Sequence, residues 1–274
     1  GNSHPNLYKI TLSNQKESRT LTAISTGGGM IEVTGIDGLA VSMAGDYFET
    51  LIYCSKPEPI ISYLENSIAY DAIEFHSGEN SFIEIKSQSF PDPVIIQELQ
   101  LMEGVMAIKQ LRPVLPVMAR KNLQVPFITC EEMLAYNSDK QKALWELAID
   151  YEMARGNISS EEVLEKMRQI IRIMGNAIEL GLKGTHYHDR ILGSQSPAFQ
   201  SKMNNGQLVG GDINNRVILY VSSMMEVKSS MGVIVAAPTA GSCGALPGAL
   251  FGIAHSLELS EEVLVRAMLS AGLI

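Results

Sequence analysis

The sequence predicts an α+β N-terminal half, made of a β-rich segment and a ferredoxin-like βαββαβ unit, followed by an all-α second half. Three observations support this fold class. Apolar and polar residues alternate along the first forty residues, as in half-buried strands. Residues 50–117 then read as strand, helix, two strands, helix and strand. After about Lys121, apolar residues recur every three or four positions, which is the period of an α-helix.

Residues 1–45 contain four strand-like runs and two glycine turns. The runs are LYKITLS, RTLTAIST, MIEVTGI and GLAVSMA, and the dipeptide Asp37-Gly38 between the last two is a strong hairpin signal. Gly27–Gly29 stands between the second run and the third. Three glycines can adopt positive φ and bring backbone N–H groups close to a ligand, but a bulge or tight turn without a ligand also explains them.

Residues 46–118 predict the βαββαβ unit. Its second and third strands, AIEFHSG and SFIEIKSQ, flank a turn at Gly78-Glu79-Asn80. Small domains of the ACT type, which bind regulatory ligands, share this order of elements, and so do modules with a purely structural or dimerising role. The order alone therefore predicts an ACT-like unit and leaves its ligand open.

Residues 119–274 predict helices, with Pro113–Pro126 as the linker before them. Ser159 followed by Glu162 predicts a capping box at the start of a long helix with one apolar stripe. Gly181 is the expected end of that helix.

Composition indicates a packed globular protein and excludes several classes of function. Of 274 residues, 46% are hydrophobic and 19% are charged, a balance that disordered chains lack. Lys and Arg number 21 against 30 Asp and Glu, and the resulting net charge of −9 disfavours nucleic acid as a partner. Cys54, Cys130 and Cys243 form no CxxC pair, which excludes a disulfide scaffold and favours a reducing, cytoplasmic compartment.

One long uncharged stretch resembles a membrane span. Residues 229–254 exceed the roughly 20 residues of a spanning helix. Repeated Gly and Pro residues interrupt the stretch, so we interpret it as buried inside a soluble protein and expect no membrane partner. The chain begins without Met or a leader and stops in a helical pattern, and we interpret both ends as cut.

The segment APTAGSCGALPGALFG, residues 237–252, is the most informative. A glycine-rich loop that leads into a helix presents N–H groups and a partial positive charge, which suit an anion such as a carboxylate. Pro238 and Pro247 are expected to fix the loop, and Thr239 and Ser242 offer hydroxyls. So many small residues predict close approach by another element or by a ligand.

Other residues suggest chemistry but have simpler explanations. His186 and His188 are spaced like metal ligands, but no third ligand is evident, so a polar loop is the better interpretation. Cys243 is a candidate nucleophile or cluster ligand, with a buried small hydrophobe as the preferred alternative. His76 and His255 are interpreted as structural.

Four features in a distinctive order carry a resemblance to a known family. They are SHPN at residues 3–6, STGGGMIEVTGIDG at 25–38, the βαββαβ unit, and APTAGSCGALPGALFG at 237–252. Together they resemble the bacterial iron–sulfur-dependent L-serine dehydratases. The resemblance implies three domains, which are the C-terminal part of the family's β domain (1–45), an ACT-like unit (46–118) and an all-α catalytic domain (119–274). It also implies a cytoplasmic homodimer.

The resemblance implies deamination of L-serine to pyruvate and ammonia without pyridoxal phosphate. In the family a [4Fe–4S] cluster acts as a Lewis acid on the substrate hydroxyl, because hydroxide is a poor leaving group. Two related possibilities remain open. One is a lyase acting on L-threonine or L-cysteine, and the other is an inactive amino-acid sensor of the ACT type.

The resemblance also implies two groups of site residues. His4 and Asn6 match the family's His-Pro-Asn, and His4 is the candidate for proton transfer because imidazole titrates near neutral pH. The remaining matches are a Ser-x-Gly-Gly-Gly turn and a Pro-Thr-x-Gly loop that seats the substrate carboxylate. The implied substrate-binding residues are Asn6, Ser25, Gly27, Gly28, Gly29, Thr239, Ala240 and Gly241.

Three departures from the family pattern qualify these expectations. The family's Ser-x-Ser-x-His-Thr segment and its three cluster cysteines do not occur in the chain, and the cluster ligands are expected beyond residue 274. The chain as printed is therefore expected to bind no cluster and to show no turnover. Ser55-Lys56-Pro57 replaces the effector-binding glycine of ACT domains, which favours a scaffolding role for that unit.

Overall fold

The computed structural model describes residues 4–115, 117–189, 191–237 and 239–273. Within them the chain divides into two compact units. The first unit extends to Gln124 but excludes Gly27–Gly29. The second extends from Val125 onward and includes Gly27–Gly29.

The first sheet contains four strands in the order β1-β2-β3-β4. The strands are β1 (Leu7–Ser13), β2 (Ser18–Gly27), β3 (Met30–Ile36) and β4 (Leu39–Met43). Asp37 (φ 49°) and Gly38 (φ 83°) both have positive φ, as a two-residue I′ hairpin turn requires, and the predicted hairpin is confirmed. Arg19 Nη1 lies 2.7 Å from Asp37 Oδ2 and ties this turn to β2.

The second sheet has the predicted βαββαβ order of elements. Its strands are β5 (Phe48–Cys54), β6 (Ala72–His76), β7 (Phe82–Ser87) and β8 (Val105–Leu111), and its helices are α1 (Pro57–Ser67) and α2 (Pro93–Leu101). The spatial order is β6-β7-β5-β8, with antiparallel neighbours. Strand β8 ends at Leu111, before Pro113, because a proline donates no ladder hydrogen bond.

Strand β5 is buried on both faces. On one face, Ile52 packs with Ile60 and Leu64 of α1 and with Leu99 of α2. On the other face, apolar residues of β4, β5 and β7 form a separate cluster, made of Val41, Met43, Leu51, Tyr53 and Phe82. Side chains alternate across a strand, so the two faces of β5 belong to two different cores.

The second unit is helical, and its described residues contain no strand after Leu111. Its helices are α3 (Cys130–Asn137), α4 (Leu144–Gly156), α5 (Ser160–Lys183), α6 (Ser196–Asn204), α7 (Asp212–Ser229), α8 (Ala245–Ser256) and α9 (Glu261–Leu273). The core lies between α5, α7, α8 and α9, with Met174, Leu219, Met224, Phe251 and Val265 among its buried residues. The prediction of an α+β part followed by a helical part is therefore confirmed.

The long helix α5 begins as predicted and ends differently. The Ser159 hydroxyl accepts a hydrogen bond from the Glu162 N–H, and the Glu162 carboxylate accepts one from the Ser159 N–H, so the capping box is confirmed. The prediction that Gly181 ends the helix is wrong. The helix continues to Lys183, and Gly184 follows it with a positive φ of 95°. A Cβ at Gly181 would lie 2.4 Å from the Ser223 carbonyl oxygen, so Gly181 permits close packing of α7.

In the part of the chain that the structure describes, no helix combines the length and apolarity that crossing a membrane requires. The uncharged stretch at 229–254 instead contains the end of α7, a connecting segment, and most of α8.

Candidate functional site

The segment that precedes α8 forms a compact turn between Thr239 and Ser242. The Thr239 N–H donates to Ser242 Oγ at 3.3 Å, and the two hydroxyl oxygens lie 3.0 Å apart. Ser242 Oγ also lies 3.2 Å from the Ala237 carbonyl oxygen and donates to it. Thr239 is an exposed residue of the turn that leads toward α8. Pro238 lies outside the described residues, as does Ser3 of the SHPN motif.

The glycines of α8 bring it close to α7. A Cβ at Gly248 would lie 2.6 Å from the Val221 nitrogen, and one at Gly252 would lie 2.8 Å from the Val217 Cα. Gly244 lies one turn earlier in the same row and also contacts α7. The expected close approach is therefore made by another helix.

Two details of the predicted loop differ in the structure. Pro247 lies inside α8, at its first turn, instead of in the loop. A proline is tolerated there because the first N–H groups of a helix have no intrahelical acceptor. Cys243 is fully buried, which fits the interpretation of a small core residue rather than an accessible nucleophile.

His4, Asn6 and Ser25 lie together at the end of the β1–β2 pair. His4 Nδ1 accepts a hydrogen bond from the Asn6 N–H at 3.2 Å, and the Asn6 carbonyl accepts one from the Ser25 N–H at 3.1 Å. The register of the strands sets this arrangement, because Leu7 stands opposite Ile24. Residues that are distant in sequence thus become neighbours.

The turn at Gly27–Gly29 requires glycine at every position. Its φ angles are 97°, 61° and 85°, and L-residues with a side chain rarely adopt three such angles in succession. No atom lies within 4 Å of a Cβ built on Gly27 or Gly29, so space does not impose the choice of glycine there. The backbone conformation imposes it.

The loop that contains His186 and His188 is held by α7. Glu226 Oε1 accepts hydrogen bonds from the N–H groups of Gln195 (2.8 Å) and Ser196 (3.0 Å), and Ser229 Oγ accepts one from Leu192. Glu226 is 1% exposed, and the first N–H groups of α6 compensate its charge. The sequence alone does not indicate a role for Glu226, because its only signal there is a single acidic residue within an apolar helical run.

His255 contacts a polar group on α7 instead of standing free as a base. Its Nδ1 lies 2.8 Å from the Tyr220 hydroxyl, and Arg216 donates to Ser256 beside it. Burial and the nearby Arg216 charge lower the pKa of His255. The structural interpretation of His255 fits this geometry.

The cysteines do not form a site for a [4Fe–4S] cluster. Cys54 is buried in the core beneath α1 and α2, Cys243 is buried beside α7, and Cys130 is exposed at the start of α3. In the described residues, the group of three clustered ligand side chains that could hold a metal ion contains no cysteine. A cluster needs several thiolates within reach of one centre, and this arrangement does not fit it.

Comparison with known proteins shows that most of the helical unit is similar to serine dehydratase alpha chains. The family model for the serine dehydratase alpha chain matches residues 139–274. The chain is 27% identical over 146 residues to the probable L-serine dehydratase alpha chain of Bacillus subtilis (strain 168), covering 53% of this chain and 49% of that protein. It is 23% identical over 144 residues to the L-serine dehydratase alpha chain of Peptoniphilus asaccharolyticus, covering 52% and 49%.

A further match is to a different subunit. The chain is 27% identical over 116 residues to the probable L-serine dehydratase beta chain of Bacillus subtilis (strain 168), which covers 39% of this chain and 53% of that protein. The chain thus spans about half the length of these curated relatives. Residues 139–274 match the serine dehydratase alpha chain family, and the resemblance found in the motifs of the sequence is confirmed.

Proposed function

We propose that this chain is part of an enzyme that deaminates L-serine to pyruvate and ammonia. The observation that carries the proposal is the Thr239–Ser242 turn at the start of α8, inside the region that matches the serine dehydratase alpha chain family. The relatives named L-serine dehydratase supply the reaction and the substrate. The same relatives make the lyase class the expected class of the complete enzyme.

The three domains of the resemblance belong to this proposal. Residues 1–45 correspond to the C-terminal part of the family's β domain, 46–118 to an ACT-like unit, and 119–274 to the catalytic domain. The match to a separate beta chain supports an assignment in which one chain carries parts of both subunits. We propose a cytoplasmic homodimer as the complete assembly.

The turn before α8 is proposed to hold the substrate carboxylate. The N-terminal end of a helix carries a partial positive charge and directs N–H groups at an anion. Thr239, Ala240 and Gly241 belong to the turn that leads into α8, and Thr239 is exposed and carries a hydroxyl that is able to donate. The hydroxyl would exchange its contact with Ser242 for one with the carboxylate.

His4 is proposed to move a proton. Because its Nδ1 accepts the Asn6 N–H, the neutral imidazole carries its proton on Nε2. In this arrangement His4 presents Nε2–H as a donor, and Asn6 fixes the ring orientation through its backbone. Ser25 and Gly27–Gly29 are proposed as further substrate-binding residues.

The cluster of the complete enzyme is proposed to take its ligands from sequence outside these 274 residues. The arrangement of Cys54, Cys130 and Cys243 supports this view, since these cysteines do not fit a cluster. Pyridoxal phosphate has no part in the proposal. The chain by itself is expected to show no turnover.

The substitution Thr239→Val tests the proposal on the chain itself. Valine keeps the shape of threonine but removes the hydroxyl, so calorimetry should show at least an about tenfold weaker affinity for L-serine. Thr11→Val, on an exposed position of β1, is the matched control and should leave the affinity unchanged. Circular dichroism should show the same fold for both variants.

Two results would contradict the proposal. Serine binding that survives both Thr239→Val and His4→Ala would place the ligand elsewhere, as an amino-acid sensor would. Anaerobic assays of the complete enzyme with L-serine, L-threonine and L-cysteine should show the highest rate of product formation with L-serine. A preference for either of the other two amino acids would replace the proposed substrate.

A further inference from the structure

A cluster of ionisable side chains lies on the second sheet, on the face opposite α1 and α2. Glu74 and His76 belong to β6 and Glu84 belongs to β7, and potential ligand atoms of all three lie within 4.8 Å of one another. His76 Nε2 is 2.7 Å from Glu84 Oε2. Glu74 is exposed and Glu84 is only 1% exposed, so the cluster extends from the surface into the space between the two sheets.

The strand register places two like charges directly opposite each other. Glu74 pairs with Glu84 across the antiparallel β6–β7 ladder. Such pairs are destabilising unless a cation compensates them. Lys86 Nζ lies 3.4 Å from Glu84 Oε1 and donates to the Ser42 carbonyl at 2.6 Å. Lys86 therefore forms an ion pair with Oε1 of Glu84, and Oε2 of Glu84 contacts His76.

A second buried carboxyl group lies on the same face of the sheet. Glu49 stands opposite Lys86 in the β5–β7 register, on the same face as Glu84. It is 2% exposed, and in the described part of the chain neither of its carboxylate oxygens has a hydrogen-bond partner. Lys86 thus stands against two buried carboxyl groups and cannot neutralise both when both are ionised, which favours a further cation.

The donor set selects the kind of cation. Imidazole nitrogen and carboxylate oxygen are both ligands of Zn²⁺ and similar first-row ions, whereas Mg²⁺ and Ca²⁺ prefer oxygen ligands alone. Metal–ligand distances of about 2.0–2.2 Å would separate the ligand atoms by somewhat more than the present His76–Glu84 contact, so small side-chain rotations suffice. The Phe82 ring, with its centroid 4.8 Å from that of His76, helps to orient the imidazole.

We propose that Glu74, His76 and Glu84 bind one divalent transition-metal ion of the Zn²⁺ class. The ion replaces the direct contact between His76 Nε2 and Glu84 Oε2 and neutralises the cross-strand glutamate pair. It ties β6 to β7, and a fourth position stays open to water. The site lies outside residues 139–274, which match the serine dehydratase alpha chain family, and does not depend on the proposed catalytic function.

Titration of the metal-stripped 274-residue chain with ZnCl₂ in a calorimeter tests the proposal. One equivalent should bind per chain, and a large excess of MgCl₂ should not compete. His76→Ala should weaken binding by at least about tenfold, since it removes the nitrogen ligand. His188→Ala is the matched control, because His188 also contacts a carboxylate, Asp189, at 2.6 Å but has no third ligand nearby among the described residues.

Glu74→Gln is a second test of the site, for the case in which His76→Ala does not fold correctly. The Glu74 side chain is exposed, so the variant should keep its circular dichroism spectrum and still bind Zn²⁺ about tenfold more weakly. Three results would overturn the site. They are no uptake of Zn²⁺ at one equivalent, wild-type affinity in folded Glu74→Gln, and an equal loss of affinity in His188→Ala and His76→Ala.

Discussion

Helix α8 meets α7 through a row of glycines, whereas strand β5 is covered on both faces and still carries a buried carboxylate. At the helix pair, Gly248 and Gly252 lie so close to Val221 and Val217 that any Cβ would collide with backbone atoms. At the sheet, Glu49 is as buried as its apolar neighbours and has no hydrogen-bond partner among the described residues. Packing alone explains the glycines of α8, but it does not explain the buried carboxyl group of Glu49.

The difference separates two kinds of unusual residue. Small residues in a helix have a sufficient explanation when a neighbouring helix fills the space, so the glycines at 244, 248 and 252 provide no evidence for a ligand. Packing gives no reason for a buried carboxyl group without a hydrogen-bond partner, because an apolar residue of the same size would be more stable there. The ionisable residues on this face of the second sheet are therefore stronger evidence for a binding site than the row of glycines.

The largest expected effect on stability comes from a substitution at the glycine contact between α7 and α8. Gly248→Ala places a Cβ 2.6 Å from the Val221 nitrogen, so α7 and α8 must move apart. Overpacking against backbone atoms should lower the free energy of unfolding by about 3 kcal/mol or more. Urea denaturation followed by circular dichroism measures it.

Gly272→Ala is the matched control for Gly248→Ala. Gly272 is also helical, and no atom lies within 4 Å of a Cβ built there. Alanine should stabilise that position by up to about 1 kcal/mol through helix propensity. If both alanine variants were equally stable, the contact between α7 and α8 would not be as close as described.

The next largest effect comes from a substitution of the buried Glu49 on the second sheet. Burial, followed by the nearby charge of Glu84, raises the pKa of Glu49 from 4.5 to about 7. A raised carboxyl pKa means that the folded state holds the proton more tightly, so this stability is present below pH 4.5 and is lost as the pH rises through about 7. Glu49→Gln should therefore be about 2–3 kcal/mol more stable than wild type at pH 8 and similar to it at pH 4.5.

Denaturation curves in EDTA at pH 4.5, 6 and 8 measure this difference without bound metal. Glu79→Gln, in the exposed turn between β6 and β7, is the control and should match wild type at all three pH values. A constant difference between Glu49→Gln and wild type would show that the Glu49 carboxylate is paired in solution. The contrast with the helical unit would then disappear.

The sequence predicts local structure well because the signals are local. The Asp37-Gly38 turn and the Ser159–Glu162 capping box each depend on residues within four positions of one another, and both form as predicted. The resemblance names His4, Asn6 and Ser25 as site residues, and the β1–β2 register brings the three together. Their chemical roles stay predictions.

The features that the sequence does not predict depend on partners that are distant along the chain. Gly181 and Gly184 have the same local chemistry, and contact with Ser223 determines which of them is a packing residue. In FETLIYC, alternation places Glu49 on the same face as Leu51 and Tyr53. A pattern of this kind is typical of a solvent-facing side until a second sheet is known to cover it.

A buried glutamate in the helical unit, Glu226, can be compared directly with Glu49. Glu226 is as buried as Glu49, but its Oε1 accepts the N–H groups of Gln195 and Ser196 at the start of α6. Glu226→Gln keeps one acceptor oxygen and loses the charge, so it should lower the free energy of unfolding by about 1–2 kcal/mol at pH 7. Glu179→Gln, on an exposed position of α5, is the control and should have no effect. Opposite signs at pH 8 for Glu226→Gln and Glu49→Gln would show that hydrogen bonding determines whether a buried carboxylate stabilises this protein, since burial is the same in both.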